Sequence, residues 1–175
     1  GGAAASGTFS IDGGTGGDLI DISQTTASHT ILGGAGNDTV TVGTGNDNVT
    51  GGDGNDLFTY AGNLTNADTV AGGNDTDTIS VVAATADSAF TNVSSVETVT
   101  LTGAAGNTTL GTTAQAAGIV TVNGAGGAET VSATAYTTGL TFNSGTAGAA
   151  IISTGSGNDT FVFDSAELDG TQTLD

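Results

Sequence analysis

The chain has 175 residues, of which 18 are Asp or Glu and none is Lys or Arg, giving a formal net charge of -18. With no basic partner the carboxylates must repel one another, stay solvated or find an external cation, which argues against binding nucleic acid through its phosphates and makes an anionic membrane a poor partner unless a divalent ion bridges the two. Cys is absent, so disulfides and thiolate metal sites are excluded, and no apolar run approaches the length of a transmembrane helix. Few aromatics and 31 Gly push toward disorder, but regularly spaced Val, Ile, Leu and Phe, abundant Thr and a positive mean hydropathy push toward strands. The segment begins Gly1-Gly2, with no initiator Met, charged n-region or apolar h-region, as expected of a processed form or a fragment.

Residues 1–12 are small and polar and end in a lead-in strand around Thr8 to Ile11. A nine-residue repeat follows. Its first copy is GGTGGDLID (Gly13 to Asp21), with Asp18 at position six and Ile20 at position eight. QTTASHTIL (Gln24 to Leu32) keeps Ile31 but has no glycine, and His29 stands where the aspartate belongs. GGAGNDTVT, VGTGNDNVT and GGDGNDLFT then run without a spacer from Gly33 to Thr59, carrying Asp38, Asp47 and Asp56 with Val40, Val49 and Phe58. After Tyr60 to Gly62 come the weak copy NLTNADTVA (Asp68, Val70) and GGNDTDTIS from Gly72 (Asp77, Ile79). Self-similarity at a short fixed period signals a repeat architecture.

From Val81 the glycine motif stops and a looser rhythm continues to Phe163. Strand-like segments fall at Val96 to Thr102, Ile119 to Asn123, Thr130 to Thr134, Leu140 to Asn143, Ala150 to Ser153 and Thr160 to Phe163. Their spacing suits solenoid rungs, and a Greek-key sandwich would share it. Ala83 to Ala89 reads as a helical turn or loop, and no long amphipathic helix is expected. GAGGAETV (Gly124 to Val131) echoes the motif with Glu129, and TGSGNDTFVF (Thr154 to Phe163) is a good copy with Asp159. Residues 164–175 form an acidic tail.

These copies match GGxGxDxUx, with U apolar, and the chain resembles the RTX (repeats-in-toxin) calcium-binding family. Calcium takes six to eight oxygen ligands and accepts main-chain carbonyls, which glycine-rich loops can turn toward one point. The resemblance implies several calcium ions held by Asp18, Asp38, Asp47, Asp56, Asp68, Asp77 and Asp159, and by loops built on Gly13, Gly33, Gly36, Gly45, Gly51, Gly54 and Gly72. It also implies two nonads per turn, with calcium between stacked loops of one edge. The units from Gly13, Gly33, Gly51 and Gly72 then share a calcium-rich edge, and those from Gln24, Val42 and Asn63 share a sparser one. The expected fold is all-β, a parallel β-roll over 13–80 continuing as a right-handed β-solenoid over 81–163.

His29 is the single histidine and reads as a decayed repeat position. Asp12, Asp87, Glu97 and Glu167 follow no pattern, and no catalytic constellation is visible, so no enzyme activity is expected. The Asn-x-Thr sequons are by-products of the repeat. The outward Thr residues read as a solvated β-surface, although VGTGNDNVT resembles repeats of ice-binding RTX adhesins. The Thr/Ala/Gly-rich second half and the absence of Cys and basic residues are similar to RTX-type S-layer proteins. The expected function is a secreted, calcium-stabilised subunit of an S-layer or extracellular filament, exported unfolded by type I secretion. It would be a homo-oligomer, with calcium as its route to cell-surface polysaccharide. The alternatives are a segment of a large adhesin and the C-terminal secretion domain of an RTX protease or lipase.

Overall fold

The computed structural model describes residues 7–62, 64–82, 85–103, 105–125, 128–145, 151–163 and 173–174. The acidic tail, apart from Thr173 and Leu174, and residues 1–6 of the lead-in lie outside the described residues, as do Glu167 and the two glycines of the GAGGAETV echo at 126–127.

The first half winds through five pairs of strands: β1 (Ser10–Thr15) and β2 (Leu19–Asp21), β3 (Thr30–Ala35) and β4 (Thr39–Val42), β5 (Asn48–Asp53) and β6 (Leu57–Tyr60), β7 (Thr69–Asn74) and β8 (Thr78–Val82), β9 (Val93–Ser94) and β10 (Thr98–Thr102). Odd-numbered strands stack into one sheet and even-numbered strands into another, every pair parallel. Parallel strands need a crossover. Here the crossover is the strand of the opposite sheet, so a six-residue turn is enough. A Greek-key sandwich is excluded, because its strands would pair antiparallel.

The second half keeps one sheet and exchanges the other. It comprises β11 (Ala105–Thr109), the helix α1 (Thr112–Ala117), β12 (Thr121–Asn123), β13 (Ala128–Ser132), β14 (Thr141–Asn143), β15 (Ile151–Ser153), β16 (Thr160–Val162) and β17 (Thr173–Leu174). Strands β12, β14 and β16 extend the even-numbered sheet to eight strands, while β11, β13, β15 and β17 form a new four-stranded sheet. The first sheet stops at β9, where the Ala117 carbonyl of α1 accepts the Val96 N–H. Helix α1 has no side-chain cap of its own; Asp87, from a 3₁₀ turn over Asp87–Phe90, accepts hydrogen bonds from the N–H groups of Gly111 (2.6 Å), Ala114 (2.9 Å) and Thr113 (3.3 Å). Burial pushes the Asp87 carboxyl up, but these bonds outweigh it and hold the group below its ordinary value. Asp87, patternless in the sequence, is therefore structural.

Alternation of inward apolar and outward polar residues builds the core. Ile20, Val40, Phe58, Ile79, Val99, Val122, Phe142 and Phe161 align in register up the eight-stranded sheet. Ile11, Ile31, Val49, Val70 and Val93 form the facing column. Outside, Thr78, Thr98, Thr121, Thr141 and Thr160 form an unbroken threonine column. Beside it the Asn123 Nδ2 donates to Thr100 Oγ1 (3.2 Å) and the Asn143 Nδ2 to Asn123 Oδ1 (2.9 Å).

Candidate calcium-binding edge

The loops 13–18, 33–38, 51–56 and 72–77 all run from the odd-numbered to the even-numbered sheet and stack directly. Their second residues, Gly14, Gly34, Gly52 and Gly73, have φ between 94° and 126°, a region closed to most L-residues. The fourth position repeats this with Gly16, Gly36 and Gly54, and in the last loop with Asp75 at φ 74°. The chain therefore turns inside six residues, and each loop aims carbonyls along the edge.

The aspartates form a ladder. The N–H of Asp18 donates to Asp38 Oδ1 (2.7 Å), that of Asp38 to Asp56 Oδ1 (2.8 Å), and that of Asp56 to Asp77 Oδ1 (2.8 Å). One carboxylate oxygen of each pair is thus consumed by the fold. The other, Oδ2, is buried without a hydrogen-bond partner in Asp18, Asp38, Asp56 and Asp77 among the described residues. Each such oxygen faces the first glycine of its own loop, next to a carbonyl from the following loop. A Cβ on Gly13 would lie 2.8 Å from Asp18 Oδ2 and 2.5 Å from the Gly33 carbonyl oxygen. Gly33 stands in the same relation to Asp38 Oδ2 and the Gly51 oxygen, and Gly51 to Asp56 Oδ2 and the Gly72 oxygen. Position one must therefore be glycine, because any side chain would fill the space these oxygens line.

Buried carboxylates without counter-charges are costly, and the costs appear in their titration. Burial pushes Asp56 up despite its hydrogen bond from Asp38, whose charge adds to the rise. Burial pushes Asp77 up to about 6, with the nearby charges of Asp56, Glu97 and Asp75 adding to it. The chain holds no Lys or Arg to relieve them. Among the described residues no three His, Cys, Asp or Glu side chains cluster as a metal site. What lines the edge is one carboxylate oxygen per loop with main-chain carbonyls. That donor set is all hard oxygen and suits calcium. Asp18, Asp38, Asp56 and Asp77 would hold the ions with the carbonyls of Gly33, Gly51 and Gly72, and a bound ion would supply the missing positive charge.

The opposite edge is built differently. His29 N–H donates to Asp47 Oδ1 (2.8 Å) and Asp47 N–H to Asp68 Oδ1 (3.0 Å), so a ladder exists there too. His29 occupies a rung: its Nδ1 accepts the Phe9 N–H (3.3 Å) and its ring stacks on Phe9 with centroids 3.7 Å apart. Asp68 Oδ2 accepts from both the N–H (2.9 Å) and the hydroxyl (3.1 Å) of Thr65, so both its oxygens serve the fold. Asp47 keeps a buried, unpartnered Oδ2, and burial pushes its carboxyl up. Gly45 is packed against the Ala27 carbonyl, so its missing side chain serves stacking and it has no left-handed φ. Val42 replaces the first glycine and points into the core.

Asp159 returns to the first edge. The register Asp77, Glu97, Val120, Leu140, Asp159 follows from the strands beside it, and Asp159 Oδ1 accepts the Leu140 N–H at 2.9 Å. Val120 and Leu140 interrupt the carboxylates, so Asp159 has no acidic neighbour in the preceding turn. Glu97 is the residue that motif reading passes over. It belongs to the ladder, accepting the Asp77 N–H on Oε2 at 2.8 Å. The signal was present in the strand half of the repeat: Glu97-Thr98-Val99-Thr100-Leu101 parallels Asp38-Thr39-Val40-Thr41-Val42.

A parallel β-solenoid with stacked glycine loops and an oxygen-lined acidic edge is an architecture suited to calcium-binding repeats. The family model of the RTX calcium-binding nonapeptide repeat matches in four copies, over residues 30–62 and 144–164. The chain carries RTX calcium-binding repeats, and repeats of this kind imply a secreted protein. Neither the curated proteins nor the solved structures compared with the chain gave a match. Loops 13–18 and 72–77, outside the matched residues, have the same ladder and glycine geometry. No helix among the described residues is long and apolar enough to cross a membrane.

Proposed function

We propose that the protein is a structural subunit that folds on calcium outside the cell and self-assembles into an S-layer or extracellular filament. The observation that supports this most directly is the eight-stranded sheet running along the solenoid, with β2 and β16 as its outer strands among the described residues. Both ends present apolar side chains to solvent, Leu19 at 78% and Val162 at 50% exposure. Outer strands with apolar side chains are templates for pairing with another chain. With no basic residue, contacts between copies rest on strand pairing, Thr and Ala packing, or calcium bridges, and calcium is also the route to anionic cell-surface polysaccharide. No catalytic role is assigned. Negative-stain microscopy of the chain in millimolar calcium tests the reading: sheets or fibres are expected, and monomers that persist at high concentration would overturn it.

A second reading has its own observation. The threonine column from Thr78 to Thr160, beside Thr100, Asn123 and Asn143, is a hydroxyl and amide array in regular register on one face. Such an array suits a segment of a large adhesin whose face orders water as ice does. Thermal hysteresis by the calcium-loaded monomer would favour this reading over the first.

A further inference from the structure

The column of carboxylates does not stop where the glycine motif stops. We propose that Asp77, Ser95 and Glu97 form a further divalent-cation site, of the hard, oxygen-ligated kind that takes calcium, and that it closes the edge one turn beyond the last GGxGxD-like loop.

Four observations meet at this place. Asp77 is completely buried, and its Oδ2 has no hydrogen-bond partner among the described residues. The Ser95 carbonyl takes the position that Gly33, Gly51 and Gly72 carbonyls take at the earlier interfaces: a Cβ on Gly72 would meet both Ser95 O and Asp77 Oδ2. Ser95 has φ 51°, a left-handed conformation that a serine adopts at a cost, and one of two such non-glycine positions among the described residues. The other is Asp75, in the facing loop of the same interface. Finally, Glu97 presents a carboxylate in ladder register, its Oε2 taking the Asp77 N–H at 2.8 Å.

The replacement of Asp by Glu has a geometric reason. In the earlier turns six residues separate the two sheets, from Gly72 to Asp77 for example; here Ser95 to Glu97 must do so in three. The shorter link sets the carboxylate-bearing residue differently, and one extra methylene restores its reach to the Asp77 N–H. Gly72 and Ser95 therefore bracket the same kind of oxygen-lined space as Gly13 and Gly33, although Val93 to Glu97 (VSSVE) contains no glycine. Asp77 and Ser95 would supply the carboxylate and carbonyl oxygens, and Glu97 the second negative charge.

The inference rests on the calcium reading of the edge and is independent of self-assembly. Glu97→Gln keeps an amide oxygen for the Asp77 N–H but removes the charge. Ions bound per chain in 1 mM calcium, counted by equilibrium dialysis with elemental analysis, should fall by one relative to the parent; an unchanged count would overturn the site. Anomalous scattering from crystals of the parent chain grown in calcium decides the matter without a variant. A peak between the Gly72 loop and Ser95 is expected. Peaks at the Gly33 and Gly51 interfaces with none beside Ser95 would overturn this inference alone, and no peak anywhere on the edge would overturn the calcium reading with it.

Discussion

The N–H of Asp77 donates to Glu97 Oε2 at 2.8 Å, the bond that the N–H of Asp56 makes, at the same length, to Asp77 Oδ1 one turn earlier. The Asp77 carboxylate used in this way is half satisfied: one oxygen holds the neighbouring turn and the other is buried without a hydrogen-bond partner among the described residues. A calcium ion bound there would make the same group serve fold and ion, so removing the ion should destabilise the stack itself.

Withdrawal of calcium at neutral pH should therefore unfold the first half of the chain. Buried, unpartnered oxygens on Asp18, Asp38, Asp56 and Asp77 along one edge, and on Asp47 beside Asp68 on the other, would meet neighbouring negative charge with no basic residue to offset it. Far-UV circular dichroism should show disorder in chelator and β-structure in millimolar calcium, reversibly. Identical spectra in the two conditions would refute the coupling.

Acid should partly replace the ion. In the folded, metal-free chain burial raises Asp47 and Asp56 and lifts Asp77 to about 6, against an ordinary carboxylate value of 3.8. The fold then holds more protons than the unfolded chain between these values, so stability falls as pH rises. The contribution is fully present below 3.8 and lost as pH passes through about 6. Calcium-stripped protein, disordered in its first half at pH 7.5, should show more β-structure by circular dichroism at pH 4.5. With calcium in excess the order should reverse, because the ion requires the ionised carboxylates.

Gly33→Ala should weaken calcium binding more than it disturbs the strands. The added Cβ would lie 2.7 Å from the Gly51 carbonyl oxygen and against Asp38 Oδ2. A loss of at least about tenfold in apparent affinity, or ~1.4 kcal/mol, is expected in a calcium titration. Gly7→Ala, with nothing within 4 Å, is the matched control and should bind as the parent does.

Thr108→Val should stabilise the second half. Thr108 is 1% exposed in the column of Val131 and Ile152, and among the described residues its Oγ1 has no hydrogen-bond partner. Replacing the hydroxyl by a methyl removes an unmet donor at nearly constant volume, a gain of about 1 kcal/mol. The melting temperature in calcium should rise by roughly 2–4 °C; a fall would show that the hydroxyl has a partner in solution.

The parallel solenoid was legible because nine-residue units count out turns and their U residues mark the core, from Ile20 to Phe58 and Ile79. The grouping of Asp18, Asp38, Asp56 and Asp77 followed from pairing the units two per turn. Three things were not legible. The nonad frame counts residues and ignores how each turn is made, so the loops at Gly43 to Asn46 and at Gly34 to Asn37 look alike, although only the second has left-handed glycines. Glu97 was hidden because recognition rested on glycines, while the ladder needs only a carboxylate one residue before a strand. The exchange of sheets at α1 was hidden because TTAQAA is too short to show a helical period and because its cap, Asp87, lies 24 residues upstream of Gly111.

The register between the Gly33–Asp38 and Gly51–Asp56 loops has one more consequence. Gly34 pairs with Gly52 and Leu32 with Thr50, an offset of eighteen residues at every position. Excising residues 33–50 would set Gly51 where Gly33 stood and bring the loop of Asp56 directly onto that of Asp18, with the same glycines, the same carboxylate and an inward apolar residue, Phe58 in place of Val40. Length is thus a free variable in this architecture: a turn can be copied or removed in one step, and the edge that remains is shorter or longer but of the same chemistry.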